Sequence, residues 1–160
     1  MLKGVALAAP LLTITTHEDL PMRVLISACR STNSMQANSA AMMSLAKYLV
    51  EQGHQFEVAV GCYPEEGQAI STESTYVVHV NTEGWAMDAV DALAQSWAQY
   101  ANTEHQQDCV GIVFDGAFYL AWPNAPLEHV GPFRQVPTQP KGKPCTFYRG
   151  QWYLAEGEAA

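Results

Sequence analysis

The pattern of apolar and polar residues predicts three strands in the first half of the chain. MRVLISAC, residues 22–29, is a short, mainly apolar run with β-branched residues, which is typical of a central strand. QFEVAVGCY, residues 55–63, and STYVVHV, residues 74–80, alternate between apolar and polar positions, so each is expected to bury one face. The polar segment between these last two strands is predicted to be a loop.

Two amphipathic helices are predicted by apolar residues spaced three and four positions apart. The first runs from Met35 to Gln52 and ends at Gly53, a residue type that favours the left-handed conformation at a helix C-terminus. Thr82 is expected to cap the second helix with its hydroxyl oxygen. The buried faces are predicted to contain Met35, Met42, Leu45, Ala46 and Leu49 in the first helix, and Ala86, Val90, Leu93, Trp97 and Tyr100 in the second.

The C-terminal third is predicted to form two hairpins. Asp115 and Gly116 separate DCVGIVF from AFYLAW, and Asp-Gly is a strong signal for a two-residue turn. Arg149 and Gly150 occupy the same place in CTFYRGQWYL. Residues 123–144 lie between the hairpins and are rich in Pro and Gly, so they are predicted to be an extended connection with at most one short edge strand.

The order strand, helix, strand, strand, helix, strand indicates an α+β fold of the ferredoxin-like type, with an antiparallel sheet and both helices on one face. Residues 21–156 are expected to form this single alpha-beta sandwich, with the hairpins added at its C-terminal end. Aromatic residues beyond Phe114 indicate that extra strands or a partner subunit cover the other face of the sheet. Residues 1–20 contain a short apolar run that resembles a weak secretory signal, but Pro10 interrupts it. They are expected to be a poorly ordered extension, with a secretory signal as the alternative.

Composition narrows the class of ligand. Sixteen Asp and Glu against eight Lys and Arg give a formal charge of −8, which repels nucleic-acid phosphates and favours a cationic ligand. The cysteines and histidines are dispersed, which indicates buried thiols in a reducing, cytoplasmic compartment and no metal site. No apolar stretch reaches the roughly 18 residues of a membrane span. Dinucleotide, phosphate-loop and hydrolase motifs do not occur, so no cofactor is expected.

Polar residues at the ends of the three strands form the candidate site. They are Tyr63, Glu65, Glu66 and Glu73 around the loop after the second strand, and Ser27, Arg30 and Ser31 at the end of the first. In a split βαβ sheet the first and third strands are the central pair and the second flanks the third, so these ends can lie close together. From the residues alone, solvated surface charges and a strand-end aromatic remain the alternative.

Four short segments, in one order, resemble the S-adenosylmethionine-degrading enzymes of bacteriophages, the SAMases. They are VLISACRS from Val24, GCY ending at Tyr63 with Thr72 and Glu73 about ten residues later, DCV from Asp108, and GPFRQVP from Gly131. The similarity is colinear from about Val24 to Leu154. The chain departs from the family pattern in its N-terminal extension, in the composition of the first helix, and in the loop that contains Glu65 and Glu66.

The resemblance implies a phage enzyme that removes the host's S-adenosylmethionine and so starves the methylation and restriction systems that depend on it. It implies a fold like that of the trimeric PII (GlnB-like) signalling proteins, and a homotrimer with active sites between subunits. The implied products are methylthioadenosine and homoserine lactone, formed when the substrate's own carboxylate attacks its γ-carbon. Such a reaction requires no metal, water or base.

With this substrate, Glu73 would hold the ammonium group and Tyr63 would lie beside the sulfonium or the adenine. Ser27, Arg30 and Ser31 are expected to bind substrate, with Arg30 able to grip the carboxylate. Direct hydrolysis to homoserine and a non-catalytic regulator of PII type remain alternatives. An acidic mimic of DNA is a third, although sixteen dispersed carboxylates are few for that purpose.

Overall fold

The computed structural model describes residues 22–63 and 71–155, which contain eight strands and two helices. The extension predicted for residues 1–20 lies outside this part. In chain order the elements are β1 (Met22–Ile26), α1 (Met35–Glu51), β2 (Gln55–Tyr63), β3 (Ser71–Val80), α2 (Met87–His105), β4 (Val110–Phe114), β5 (Ala117–Ala121), β6 (Glu128–Val136), β7 (Cys145–Tyr148) and β8 (Gln151–Ala155).

The strands form a closed antiparallel barrel in the order β1-β3-β2-β7-β8-β6-β5-β4. The predicted ferredoxin-like sandwich is therefore wrong. β1 pairs with β3, and β3 with β2, as the sequence predicts. However, β5 to β8 continue the sheet beyond β4 and do not form separate hairpins. β7 pairs with β2, where Phe147 lies opposite Val60, and β4 pairs with β1, where Ile112 lies opposite Val24, so the sheet closes on itself.

Alternation along each strand gives the barrel an outer and an inner face. Both helices pack on the outer face, over β4, β1 and β3, and together they bury the main apolar core. Full burial of a Leu or Ile side chain contributes about 1.5–3 kcal/mol, so this layer is a large source of stability. Its central residues are Met22, Val24, Ile26, Val78 and Ile112 from the strands, Leu45 and Leu49 from α1, and Val90, Ala94 and Trp97 from α2.

The two predicted hairpin turns are confirmed. Asp115 and Gly116 have φ angles of 52° and 76°, and Arg149 and Gly150 have 51° and 73°. Positive φ at both central residues defines the type I′ turn, whose twist matches that of the flanking strands. These turns connect β4 to β5 and β7 to β8.

The segment between the hairpins contains a strand of nine residues, where the sequence predicted at most one short edge strand. Residues 128–132 of β6 pair with β5, and Phe133 to Val136 pair with β8. Pro132 lies where the strand changes partner, beside an irregularity in its register with β5. A proline lacks the N–H that a ladder requires, but at this change of partner it does not interrupt either run of pairs. The Pro and Gly content therefore led to a prediction that underestimates the length of this strand.

The helices agree with the sequence except at their N-termini. α1 is capped by Ser34, whose Oγ accepts a hydrogen bond from Ala37 N at 3.0 Å. Met35, predicted to be buried, is the first residue of the helix and is 86% exposed. Thr82 does not cap α2, since its carbonyl accepts from Trp85 N in a separate turn and the helix cap is Ala86. Neither helix in the described ranges combines the length and apolar character needed to cross a membrane.

Polar side chains link three strands at the end of the barrel where β2 begins. Arg149 Nε donates to Glu57 Oε1 at 2.9 Å, Tyr148 donates its hydroxyl to Glu57 Oε2 at 2.8 Å, and His79 Nε2 lies 2.6 Å from the same oxygen. The Arg149 guanidinium is the main reason that the pKa of Glu57 falls to about 2. Glu57 therefore ties the β7–β8 turn to β2 and β3.

We predict that Glu57→Gln lowers the midpoint of thermal unfolding at pH 7. Because the carboxylate is more than a third exposed, the ion pair contributes at most about 1 kcal/mol to the free energy of unfolding. Its loss should lower the midpoint by about 2–4 °C in a domain of this size. The folded-state pKa is depressed, so the contribution is present above the usual pKa of 4.5 and is lost as the pH falls towards about 2. Melting curves between pH 2 and 7 should show the two proteins converging in acid.

Glu51→Gln is the matched control for this prediction. Its carboxylate is 60% exposed on α1 and lies 4.0 Å from Lys47, so its removal should change the midpoint little at any pH. A constant difference between wild type and Glu57→Gln down to pH 2 would contradict the assignment of the effect to the Glu57 charge.

Candidate active site

The sequence placed Glu73 in the loop before the third strand, but the structure places it within β3. β3 begins at Ser71, three residues earlier than predicted, and Glu73 lies opposite Gly61 of β2. By alternation its side chain shares the inner face of the strand with Thr75 and Val77. Burial raises the pKa of Glu73, and a hydrogen bond with Ser27 opposes part of that rise. The carboxylate is thus partly removed from water at the mouth of the barrel.

Ser27 connects the end of β1 to the start of β3. Its hydroxyl donates to Ser74 O at 2.7 Å and accepts from Cys29 N at 3.0 Å. The hydroxyl has a single proton, which the Glu73 carboxylate can also accept, and the short contact with Ser74 makes that carbonyl the main acceptor. Ser27 is brought to the candidate site, but its hydroxyl is used within the protein.

Arg30 and Ser31 lie on the segment between β1 and α1. Asn38 of α1 fixes this segment with two hydrogen bonds: Arg30 N donates to Asn38 Oδ1 at 2.9 Å, and Asn38 Nδ2 donates to Arg30 O at 3.0 Å. The backbone of Arg30 is therefore held while its side chain is exposed. An exposed guanidinium on a fixed backbone can bind a carboxylate with two parallel hydrogen bonds.

Gln107 is a further residue of the site, which the sequence reading missed. It follows the C-terminus of α2, and its Nε2 donates to Cys29 O at 2.8 Å and to His105 O at 3.3 Å. Its backbone is also bonded, since Gln107 N donates to Ala101 O at 3.1 Å and Asn102 Nδ2 donates to Gln107 O at 3.0 Å. Gln107 thus joins the end of α2 to the segment that carries Arg30.

Two cavities meet at Glu73 and Gln107, which line both of them. The outer cavity, of about 610 Å³, lies between the β1–α1 segment and the start of β3, and its other lining residues include Arg30, Ser31, Asn38 and Met43. The barrel cavity, of about 450 Å³, extends along the inner faces of the strands, and its lining includes Leu25, Thr75, Phe118, Leu120 and Phe133. Both volumes are in the range of small-molecule sites, roughly 300–1,000 Å³.

The electrostatic character of the shared region is negative. Burial and the nearby carboxylates of Asp108, Glu128 and Glu73 raise the pKa of the Cys109 thiol to about 11. Cys109 is therefore a neutral thiol and a poor nucleophile. A negative region with the exposed guanidinium of Arg30 nearby suits a ligand that carries both cationic and anionic groups. No group of three or more His, Cys, Asp or Glu side chains in residues 22–63 and 71–155 is arranged to hold a metal ion.

The structure brings together Ser27, Arg30, Ser31 and Glu73 of the residues selected from the sequence. Tyr63 ends β2 opposite Ser71, two residues beyond the partner of Glu73, and the position of its ring is outside the described part. Glu65 and Glu66 also lie outside the described residues. No motif indicated Gln107 or Asn38, because their importance comes from hydrogen bonds to distant backbone groups.

Comparison with known protein families gave a match. The S-adenosylmethionine lyase family model matches residues 24–156, nearly the whole described chain. A search of curated proteins gave no significant match. The resemblance to S-adenosylmethionine-degrading enzymes, drawn from four short segments, is confirmed at the level of the family. The chain belongs to the S-adenosylmethionine lyase family and is an enzyme that degrades S-adenosylmethionine.

Proposed function

We propose that the enzyme converts S-adenosylmethionine into 5′-methylthioadenosine and L-homoserine lactone. One carboxylate oxygen of the substrate forms a bond to the substrate's own γ-carbon. The bond between that carbon and sulfur breaks, and its electron pair stays on sulfur, which leaves as a neutral thioether. Atoms and charge balance without a proton transfer, so neither a general acid nor a general base is required.

The protein's task in this reaction is to fold the substrate so that its two ends meet. Well-oriented intramolecular reactions can gain about 7–11 kcal/mol over unoriented ones. The carboxylate and the sulfonium neutralise each other in the transition state, so transfer of both from water into a cavity favours reaction.

The proposal is supported mainly by the position of Glu73. It is a partly buried carboxylate on the wall shared by two cavities, one of which contains Arg30. Burial raises the pKa of Glu73 because it limits the contact of the carboxylate with water. A cationic ligand would replace that lost solvation. We assign Glu73 to the substrate's ammonium group, Arg30 with Ser31 to its carboxylate, and Ser27 to the orientation of Glu73. Tyr63, at the end of β2, would place its ring beside the sulfonium.

The active unit in this proposal is a homotrimer with sites between subunits, as the family resemblance implies. Exposed apolar side chains support an association surface. Met35 and Met43 line the outer cavity and are 86% and 73% exposed. On the outer face of β2, Val58 and Val60 are 66% and 37% exposed. Val60 lies opposite Phe147, whose ring is 4.7 Å from that of Trp152.

The proposed biological role is a counter-defence of a bacteriophage. In the cytoplasm of an infected host, loss of S-adenosylmethionine would disable restriction and methylation systems that depend on it. This role follows from the family resemblance and from the substrate, and it requires no contact with nucleic acid, which the charge of −8 disfavours.

The reaction path can be tested with heavy-oxygen water. Purified protein incubated with S-adenosylmethionine, without added metal or cofactor, should release methylthioadenosine. Homoserine lactone should appear first and without the heavy label, because its ring oxygen and its carbonyl oxygen both come from the substrate's carboxylate. Mass spectrometry of the earliest products gives the answer. Label in the first amino-acid product would show direct hydrolysis instead.

We predict that Glu73→Gln lowers kcat/KM by at least about tenfold. The change keeps the shape of the side chain and removes the charge that pairs with the substrate's ammonium, an interaction of roughly 1.5–3 kcal/mol. Glu83→Gln removes an exposed carboxylate on the β3–α2 connection and should retain wild-type kinetics. Wild-type kcat/KM in Glu73→Gln, with a loss in Glu65→Gln, would move the functional carboxylate into the loop before β3.

The thermal stability of Glu73→Gln separates this role from a structural one. The pKa of Glu73 is raised in the folded protein, so the wild type loses stability as the pH rises through that pKa. Glu73→Gln should therefore unfold at an equal or higher temperature than wild type at pH 7, and the difference should disappear below the usual pKa of 4.5. A lower melting temperature at pH 7 would indicate that the loss of activity comes from damage to the fold.

Light scattering tests the association surface. Wild type should have the mass of three chains, and Val58→Asp should shift the population to smaller species because it puts a charge on the exposed face of β2. Val50→Asp is the matched control, since Val50 is also 66% exposed but lies on α1. A monomeric wild type with full activity would refute the intersubunit site.

A further inference from the structure

The ladder between β2 and β7 closes the barrel with few residues. Within the described ranges it contains three pairs, whereas β2 and β3 share nine. The three pairs are Val60 with Phe147, Gly61 with Thr146, and Cys62 with Cys145. A ladder of this length provides few backbone hydrogen bonds, so the barrel can open here more readily than between β2 and β3. A covalent bond between the two strands would oppose that opening.

Cys62 and Cys145 lie directly opposite each other, close enough to form such a bond. Opposite residues of an antiparallel ladder have Cα atoms about 4.5–5.5 Å apart, and a disulfide requires about 4.4–6.8 Å. Their side chains lie on the same face of the sheet. The two thiols are in contact, since Cys62 is a hydrogen-bond partner of Cys145. The arrangement therefore permits a disulfide with little movement of either strand.

Both cysteines have free thiols that are shielded from water. Cys62 is 3% exposed and Cys145 is 5% exposed. Burial and the neighbouring thiol of Cys62 raise the pKa of Cys145 to about 11, so its thiol is neutral at pH 7 and reacts slowly. Cys29 and Cys109, by contrast, are half-buried residues outside the strands. A reaction of the buried pair therefore requires the ladder to open briefly.

We propose that Cys62 and Cys145 form a redox-sensitive crosslink that holds the barrel closed. In reducing conditions the two thiols pack as small apolar side chains. In oxidising conditions they form a disulfide that joins the end of β2 to the start of β7. The crosslink encloses residues 62–145, which contain β3, α2, β4, β5 and β6. A disulfide across so long a loop restricts the unfolded chain strongly, so it stabilises the folded protein.

A small-molecule disulfide supplies the oxidant for this crosslink. The thiolate of one cysteine attacks a sulfur of this reagent, and the S–S bond of the reagent breaks to release a thiolate. The second cysteine then attacks the protein sulfur of the mixed disulfide, and the other half of the reagent leaves. The protons of the two cysteines end on the two thiols that are released. The protein loses two electrons and the reagent gains them, so atoms and charge balance.

The crosslink affects the candidate site through β2. Gly61, beside Cys62, lies opposite Glu73 of β3, and Cys145 lines the barrel cavity. Separation of β7 from β2 would remove one wall of that cavity and uncover the strand next to Glu73. The disulfide prevents this separation, so the oxidised enzyme should remain active at temperatures at which the reduced enzyme loses its activity.

Mass spectrometry and thermal unfolding test the crosslink. Full-length protein is incubated in dilute urea, which favours opening of the ladder, with hydroxyethyl disulfide, a neutral reagent that the protein's charge of −8 does not repel. A digest without reductant should contain the Cys62 and Cys145 peptides joined. After removal of the urea, the midpoint of thermal unfolding should be higher by at least about 4 °C, and dithiothreitol should reverse the rise. After heating, the oxidised protein should degrade S-adenosylmethionine faster than the reduced protein.

Cys109→Ala is the matched control, because it removes a thiol and leaves the pair. It should form the same link and show the same rise in midpoint. Cys62→Ala and Cys145→Ala should show neither, and if one of them fails to fold, the comparison of oxidised with reduced wild type decides. A digest in which Cys62 and Cys145 stay unlinked, or are joined to other cysteines, would overturn the proposal. So would a link that leaves the midpoint unchanged or lowers it.

Discussion

Closure of the sheet is the constraint on which this structure depends. The ladders between β2 and β7 and between β4 and β1 turn an antiparallel sheet into a barrel. An open sheet of β4, β1, β3 and β2 would leave two strand edges exposed and one face uncovered. Closure satisfies those backbone groups and encloses the inner face. It also explains the partial desolvation of Glu73, because a carboxylate on the inner face of β3 cannot turn freely into solvent.

The sequence predicts what is local in this fold. Periodicity identified β1, β2, most of β3 and both helices, and the turn residues identified both hairpins, since each signal depends on residues close together in the chain. Periodicity tells which face of a strand is buried but not which strand lies beside it. The partner of Val60 is Phe147, far along the chain, and that pairing makes the difference between a sandwich and a barrel. The length of β6 was underestimated for a related reason, because Pro132 is acceptable only where the strand changes neighbours.

The residues of the candidate site likewise divide into those that the sequence predicts and those that it does not. Glu73, Arg30 and Ser31 could be selected from the sequence because they are polar residues at strand ends within segments that resemble a known family. Gln107 could not. Gln107 matters through its bonds to Cys29 O and His105 O. Such roles exist only once distant segments are placed in space.

The place of Glu73 relative to the reacting atoms decides whether it helps or hinders the proposed reaction. An anion beside the sulfonium would stabilise a charge that disappears in the transition state, so it would favour the ground state and slow the reaction. The substrate's ammonium keeps its charge from start to finish. An anion that pairs with it therefore stabilises all states equally and acts by holding the amino-acid part in one orientation. In the proposed reaction, Glu73 can therefore serve catalysis only in this second way.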